Sequence, residues 1–324
     1  MPTSPQSVHI LGLGSIGSFL AHSLRSPSLP TPSLRVNDDG SLQEQTGFDA
    51  ELLTQSPSSS EPIHNLIVAV KASATVSALQ PIRHRLGPLS TICLFQNGMG
   101  QIEDLNEKVF TDKARRPKYM FGIMRHGVYL RSSTEAILSG LNGRAAIGVV
   151  DEGDTSSRQA DPRFLLDTLL RSPILRCEEL VWKELLQNQL FKLAANCVLN
   201  PLTAILDVRN GVIKENPDLQ PLIQRLLQEI SLVFRSLPEI RDLPRDQKDR
   251  FSVPSLEALV MDTIEKTAGN SSSMREDLRK GRATEIEYIN GWILRRAREL
   301  GIECEANTSL MQLVLAKSRV TMGR

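Results

Sequence analysis

Lys192, Asn196 and Asn200 recur at four-residue steps in the run Lys192-Leu-Ala-Ala-Asn196-Cys-Val-Leu-Asn200-Pro201. On an α-helix such steps keep side chains on one face. The residues between them are apolar, so one amine and two amides project from a helix otherwise suited to burial. That is a poor core stripe and a good floor for a small polar substrate. An ammonium in such a place stabilises negative charge developing on a carbonyl oxygen and then gives up a proton to it. Burial that lowers the amine pKa toward neutrality suits it to that task. The helix is expected to run back to about Leu180 and to stop at Pro201, because proline lacks the backbone donor that a helix interior needs.

A second constellation lies near the N-terminus. Val8-His-Ile-Leu-Gly12-Leu13-Gly14-Ser15-Ile16-Gly17 is an apolar strand running into G-x-G-x-x-G and then into a helix. This is the dinucleotide-binding fingerprint in the context it requires. Gly12 permits the tight turn, Gly14 lets the backbone approach a pyrophosphate, and Gly17 lets helix and strand pack closely. The helix start beyond Gly14 offers N–H groups and the positive end of a dipole to phosphates.

These residues need elements to hold them. The 324 residues are long for a single core and suggest two domains. From Val8 to about Ile174, apolar strands alternate with amphipathic helices. Strands are expected at Leu66–Val70, Thr91–Phe95, Met120–Met124 and Ala145–Val150, and helices at Ser15–Arg25, Ala72–Arg85 and Gln101–Val109. That is βαβ organisation with a twisted, mainly parallel sheet. The Ser-rich stretch Asp151–Gln159 reads as a loop, followed by a helix near Pro162–Arg171 and a short strand near Ile174–Cys177. Beyond Leu180 the pattern is almost all helix, at Leu219–Leu237, Ser255–Thr267, Ile286–Leu300 and Thr308–Thr321. The expected fold class is α/β: a Rossmann-like dinucleotide-binding domain over 1–177, its second strand shortened or missing, followed by an all-helical C-terminal domain over 178–324. The cleft between two such domains is the default active site.

Composition narrows the partners. The formal net charge is +1, and no basic patch with interleaved aromatics points to nucleic acid. No apolar run is read as reaching the roughly 18 residues that span a bilayer. Cys93, Cys177, Cys197 and Cys304 lack metal-ligand spacing and read as buried free thiols, which suits a cytoplasmic protein. The partner left is a small molecule.

Further polar residues stand where ligands bind. Lys71 closes one central strand and Asn97-Gly98-Met-Gly100 the next, and open α/β sheets bind ligands beyond the carboxyl ends of their strands. Ser271–Ser273 opens a helix and by itself is an ordinary N-cap. Glu285 alone would be a solvated charge, and Asn210-Gly211 a turn.

Together these blocks resemble the 2-dehydropantoate 2-reductase (ketopantoate reductase) family over nearly the whole chain. They are Gly12–Gly17, Val70-Lys71-Ala72, Asn97–Gly100, Lys192–Ala204, Asn210-Gly211, Ser272-Ser273-Met274 and Thr284-Glu285-Ile-Glu-Tyr-Ile-Asn-Gly291. The resemblance implies an NADP-dependent oxidoreductase that reduces 2-dehydropantoate to (R)-pantoate on the way to pantothenate and coenzyme A. It also implies roles. Lys192 is similar to the family's general acid. Asn196, Asn200, Asn210 and Ser273 resemble its substrate contacts, Ser273 reaching the carboxylate. Asn97 resembles a residue near both nicotinamide and substrate. Gly12, Leu13, Gly14, Ser15, Ile16, Gly17, Lys71 and Glu285 resemble its cofactor contacts. A related 2-oxoacid reductase and a non-catalytic nucleotide-binding descendant are the alternatives, and monomer and homodimer are both open.

One stretch departs from the family. A second strand ending in an arginine for the NADP 2′-phosphate is expected after the first helix, but Pro-rich Ser26–Pro32 leads directly to Ser33-Leu-Arg-Val-Asn37-Asp38-Asp39-Gly40. On one reading Leu34–Asn37 is that strand, and Asp38, about 20 residues past Gly17, is a ribose ligand of NAD type. On the favoured reading Val36–Leu42 is the hairpin that normally comes next, because Asp-Gly between strand-like flanks signals a turn. Arg25 and Arg35 are then the nearby substitutes for the missing arginine.

Overall fold

Leu66, Ile67 and Val68 are apolar in succession, so a strand made from them must be covered on both faces. In the computed structural model that strand is Asn65–Val68 and all four of its residues are buried. The structure describes residues 7–24, 34–38, 41–45, 49, 60–132, 135–139, 143–151 and 160–323, with 34–38, 41–45 and 139 described by their backbone.

In chain order the strands are β1 (His9–Leu11), β2 (Leu34–Asp38), β3 (Ser41–Gln45), β4 (Asn65–Val68), β5 (Thr91–Leu94), β6 (Lys118–Met124), β7 (Gly127–Ser132), β8 (Glu135–Ser139), β9 (Ala145–Val149) and β10 (Cys177–Glu179). Six make one sheet in the order β1-β4-β5-β6-β9-β10. Its pairings are parallel except that of β6 with β9, which is antiparallel. Side chains alternate between two cores, as a strand period of two requires. Ile67, Cys93 and Met120 pack with Phe19 and Leu20 of helix Ser15–Ser23 and with Leu165 and Leu169 of helix Arg163–Leu170. Leu66, Val68, Ile92, Leu94 and Tyr119 pack with Leu79, Leu86 and Leu105 on the other face. This is a doubly wound, Rossmann-like sheet.

Several expectations change at this level. The helix expected over 72–85 is a short helix, Thr75–Leu79, between 3-10 turns at Ala72–Ala74 and Gln80–Arg85. The strand expected near 174–177 begins at Cys177 and pairs in parallel with β9. A second sheet, β3-β2-β8-β7, was not anticipated. In it β2 and β3 pair antiparallel, Asp38 opposite Ser41, and β2 also pairs in parallel with β8. Leu34–Asp38 is thus one arm of a hairpin outside the main sheet, and among the described residues no strand flanks β1 on the side away from β4. Residues 152–159 of the Ser-rich stretch and Arg25 lie outside the described residues, and the side chains of Arg35 and Asp38 likewise.

The chain divides into two compact units, Met1–Gln96 with Gln101–Leu185, and Asn97–Gly100 with Leu186–Arg324. The second unit is all helix among its described residues. Its helices include Gln220–Ser236, Val253–Lys266, Ser273–Arg279, Asn290–Glu299 and Glu305–Met322. Their apolar faces enclose one core, in which Leu193, Ala194, Cys197 and Val198 meet Leu226, Ile230, Phe234 and Ile293.

The largest correction concerns Pro201. Helix Trp182–Leu206 does not stop there but continues through it. The Pro201 nitrogen cannot donate to the Cys197 carbonyl four residues back. That carbonyl instead accepts from the side chain of Asn290, Nδ2 to O 3.0 Å. Tertiary structure supplies the missing donor. By length and composition this helix is also apolar enough to cross a membrane, which corrects the reading that no run is long enough. Yet 78% of its most apolar window is buried inside the protein, as befits a core helix.

Candidate active site

The helix Trp182–Leu206 presents Lys192 and Asn196 half-buried and Asn200 buried. Its far end is firmly anchored. Lys317 Nζ donates to the carbonyls of Ala204 and Ile205 at 2.9 and 2.7 Å, satisfying acceptors that a helix terminus leaves open. Just beyond, Asp207 takes a left-handed φ of 55°. Its carboxylate accepts from Arg279 Nε at 2.7 Å and Arg275 Nε at 2.9 Å. These hydrogen bonds, that of Arg279 foremost, hold its pKa below the usual 3.8.

One residue on this face was missed in the sequence. Gln189 stands three before Lys192, a spacing that puts it on the same side. It is buried, and neither atom of its amide has a hydrogen-bond partner among the described residues. A buried amide left so is costly unless a ligand completes it. Its position at i−3 was the signal available.

The segments bearing Ser273 and Asn210 lie against each other. Ser272, not Ser273, caps the helix Ser273–Arg279, its Oγ accepting from Arg275 N at 3.2 Å. Ser272 Oγ also lies 2.7 Å from Thr203 Oγ1, which bonds to the carbonyls of Leu199 and Asn200. The cap of one helix is therefore tied to the turn that holds Asn200, while Ser273 is exposed. Asn210 corrects another expectation: it begins the helix Asn210–Glu215 rather than a turn. It is buried, donating through Nδ2 to Thr267 Oγ1 at 2.9 Å and through N to the Asn270 carbonyl at 3.1 Å. Its Oδ1 is buried with no partner among the described residues.

Asn97 and Glu285 also meet. Asn97 Nδ2 donates to Glu285 Oε2 at 3.4 Å, across 188 residues of chain. Met99 N donates to the Tyr288 carbonyl at 2.8 Å. Gly98 has φ +80°, and a Cβ there would overlap the Tyr288 carbonyl. Only glycine lets these backbones approach so closely. Glu285 is buried, and its carboxylate and the Asn97 amide form one polar cluster.

Gly12–Gly17 and Lys71 belong to the first unit. Leu11, Val68 and Leu94 are in register across β1, β4 and β5, so the carboxyl ends of three parallel strands are level. Gly12 turns at φ +97°. Gly14 has open space where a Cβ would stand, whereas a Cβ on Gly17 would overlap the Gly12 carbonyl. Helix Ser15–Ser23 has no side-chain cap and no acidic residue in its first turn. This fits an anion placed at its N-terminus. Leu13 is exposed beside it. Lys71 is half-buried at the start of the turn after β4. Its loop is held by Gln96, whose Nε2 donates to the Val70 carbonyl at 2.8 Å and Thr75 Oγ1 at 2.7 Å.

The thiols take no part in this chemistry. Burial pushes Cys177 up to about 12 and Cys304 to about 11, and Cys93 and Cys197 well above the usual 9.0. All four are free and protonated at neutral pH, hence poor nucleophiles.

The model of the family Ketopantoate reductase PanE/ApbA matches residues 8–152, and that of its C-terminal domain matches residues 184–318. The 2-dehydropantoate 2-reductase of Yersinia pestis is 31% identical over 96% of this chain and 94% of its own. This chain belongs to the ketopantoate reductase family. A probable 2-dehydropantoate 2-reductase of Schizosaccharomyces pombe is 29% identical, over 98% of this chain and 97% of its own. The crystal structure of a probable 2-dehydropantoate 2-reductase from Bacillus subtilis superposes with a TM-score of 0.68 at 25% identity, covering 96% of this chain and 99% of the other. The ketopantoate reductase fold, a dinucleotide-type sheet followed by a helical domain, therefore runs the length of the molecule.

Proposed function

We propose that this protein reduces 2-dehydropantoate to (R)-pantoate with NADPH, in pantothenate and coenzyme A biosynthesis. The observation that carries the reading is the Lys192–Asn196–Asn200 face, one amine and two amides on a helix whose other positions are core, in a chain matched end to end by ketopantoate reductases. The first unit takes the cofactor and the second the substrate. The cytoplasm is its compartment, and monomer or homodimer its working form.

The residues fit a dinucleotide. Gly12, Gly14, Gly17 and the uncapped helix start can receive a pyrophosphate, with Leu13, Ser15 and Ile16 in the same turn and Lys71 beyond the neighbouring strand. A nicotinamide cofactor held there would provide the hydride for the carbonyl carbon. Lys192 Nζ stands as the cation that the carbonyl oxygen meets as it becomes negative, and its proton passes to that oxygen to complete the alcohol. The neutral amine then recovers a proton from solvent. Asn196, Asn200 and Asn210 bind the substrate's oxygens, Ser273 holds its carboxylate, and Gln189 lines the same face. Asn97 and Glu285 act as a pair on the cofactor side. Ketopantoate-dependent oxidation of NADPH tests the reading. Oxidation only with other 2-oxoacids would make it a related reductase, and NADPH binding without turnover a non-catalytic descendant.

Ser273→Ala is expected to raise KM for ketopantoate more than it lowers kcat. A hydroxyl that holds a carboxylate equally in ground and transition states contributes uniform binding, which appears in KM. The cap belongs to Ser272, so the helix should survive the change. An unaltered KM would remove Ser273 from the site.

NADPH is expected to be preferred over NADH, but weakly. β2 lies outside the main sheet, and among the described residues no strand beside β1 carries the usual arginine. A charge-assisted bond to the 2′-phosphate is worth roughly 1.5–3 kcal/mol, and its absence erases about one to two decades of preference. The measurement is kcat/KM with both cofactors in the parent and in Arg35→Ala. An NADH preference would promote Asp38 to ribose ligand. A strong NADPH preference untouched by Arg35→Ala would place the phosphate elsewhere.

A further inference from the structure

Pro201 removes one rung from the helix that carries the substrate face, and the rung has a particular place. It would join residue 201 to residue 197, so it spans the turn between Asn196 and Asn200. Its loss removes one of the helix's own hydrogen bonds from that turn and weakens the hold on it. Asn290 replaces it. The Asn290 side chain is fully buried and donates through Nδ2 to the Cys197 carbonyl at 3.0 Å. A carbonyl only accepts, so this contact fixes which end of the amide faces it.

The amide is itself held from behind. Asn290 Nδ2 also donates to Asn307 Oδ1 at 3.0 Å. Asn307 Nδ2 donates in turn to Glu229 Oε2 at 2.7 Å and to the Leu226 carbonyl at 3.3 Å. The Glu229 carboxylate further accepts from the backbone nitrogens of Ala306 and Asn307, at 2.8 and 2.9 Å. It thus serves as the cap of helix Glu305–Met322, whose own N-cap residue, Cys304, makes no side-chain cap bond. Cys197, Asn290, Asn307 and Glu229 form one line across four helices. Asn290 contributes no cap to its own helix Asn290–Glu299, whose N-cap is Ile289. Its amide is spent on the broken rung.

We propose that Asn290 is a positioning residue of the substrate site, substituting for the hydrogen bond that Pro201 cannot make and so setting the relative placement of Asn196 and Asn200, with Asn307 and Glu229 holding it in register. The proposal rests on the reading of Asn196 and Asn200 as substrate contacts.

The test is a cycle of Asn290→Ala and Pro201→Ala, singly and together. Pro201→Ala restores an N–H at the broken rung, so it makes the Asn290 donor redundant. Leaving a buried carbonyl unpaired costs about 1–3 kcal/mol, roughly five- to 150-fold. Asn290→Ala should therefore raise KM for ketopantoate about tenfold or more, with the Kd for NADPH within about twofold of the parent. In the Pro201→Ala background the same change should cost at least about fivefold less. An equal KM penalty in both backgrounds, or equal losses of ketopantoate and NADPH binding, would overturn the proposal. If Asn290→Ala does not fold, Glu229→Gln takes its place. It removes one acceptor from a carboxylate serving three donors and should raise KM for ketopantoate about threefold, an effect that Pro201→Ala suppresses. An unchanged KM in Glu229→Gln would likewise overturn the proposal. A parent that binds NADPH yet does not turn over ketopantoate would defeat the functional reading instead. The rung is then judged from thermal melts of the same four proteins: a Tm loss in Asn290→Ala that Pro201→Ala reverses supports it, and equal losses in both backgrounds overturn it.

Discussion

Lys192→Ala is expected to lower kcat by about 10²–10⁴-fold, the usual cost of losing a positioned general acid, while NADPH binding stays near that of the parent. Lys192 is the one amine on a face whose other polar groups are amides. Asn196 and Asn200 can hold an oxygen but cannot give it a proton at neutral pH. They remain in the variant, so KM should move far less than kcat. Lys192→Arg sharpens the result. Its guanidinium keeps the charge but does not give up a proton in the working pH range, so it should restore binding without restoring turnover. Stopped-assay kinetics with a parallel NADPH titration make the measurement. Near-normal turnover in Lys192→Ala would take Lys192 out of the mechanism.

Gly17→Ala should damage the nucleotide unit itself. The added Cβ would overlap the Gly12 carbonyl oxygen and stand 3.4 Å from the Ala69 side chain. Neither the strand end nor the helix start yields easily, because Gly12 is already turned at φ +97°. Its Ser18 N to Gly14 O bond, 2.9 Å, begins the helix at once. Forcing bulk into such a contact costs about 3 kcal/mol, which for a unit of this size lowers Tm by about 6–12 °C. NADPH affinity should fall with it. Gly14→Ala is the contrasting case. Nothing stands within 4 Å of its added Cβ, so the fold should hold while the methyl occupies the approach to the pyrophosphate. Melting curves and NADPH titrations of the two variants separate packing from binding. A Gly17→Ala protein with the parent's Tm and affinity would refute the close helix–strand approach.

What was legible in the sequence shares one property: it repeats at short range. The apolar runs at 66–68 and 91–94 state that their strands are covered on both faces, because alternate side chains point to opposite sides. The steps from Lys192 to Asn196 to Asn200 state a common helical face. The glycine fingerprint carries strand, turn and helix within ten residues. Even the hairpin at 36–42 was readable, since Asp-Gly between strand-like flanks is a local signal. What only the tertiary structure decided depends on partners far along the chain. Pro201 reads locally as a helix stop, and the donor that lets the helix continue comes from Asn290, 93 residues away from Cys197. Ser272 rather than Ser273 became the cap, with Thr203, 69 residues distant, against it. Glu285 alone reads as a surface charge, yet it is buried against Asn97. A backbone rule acts within a turn, whereas a buried polar group is satisfied by whichever element packs beside it. Periodicity names the elements and the face they offer, and packing chooses the hydrogen bonds that hold that face in place.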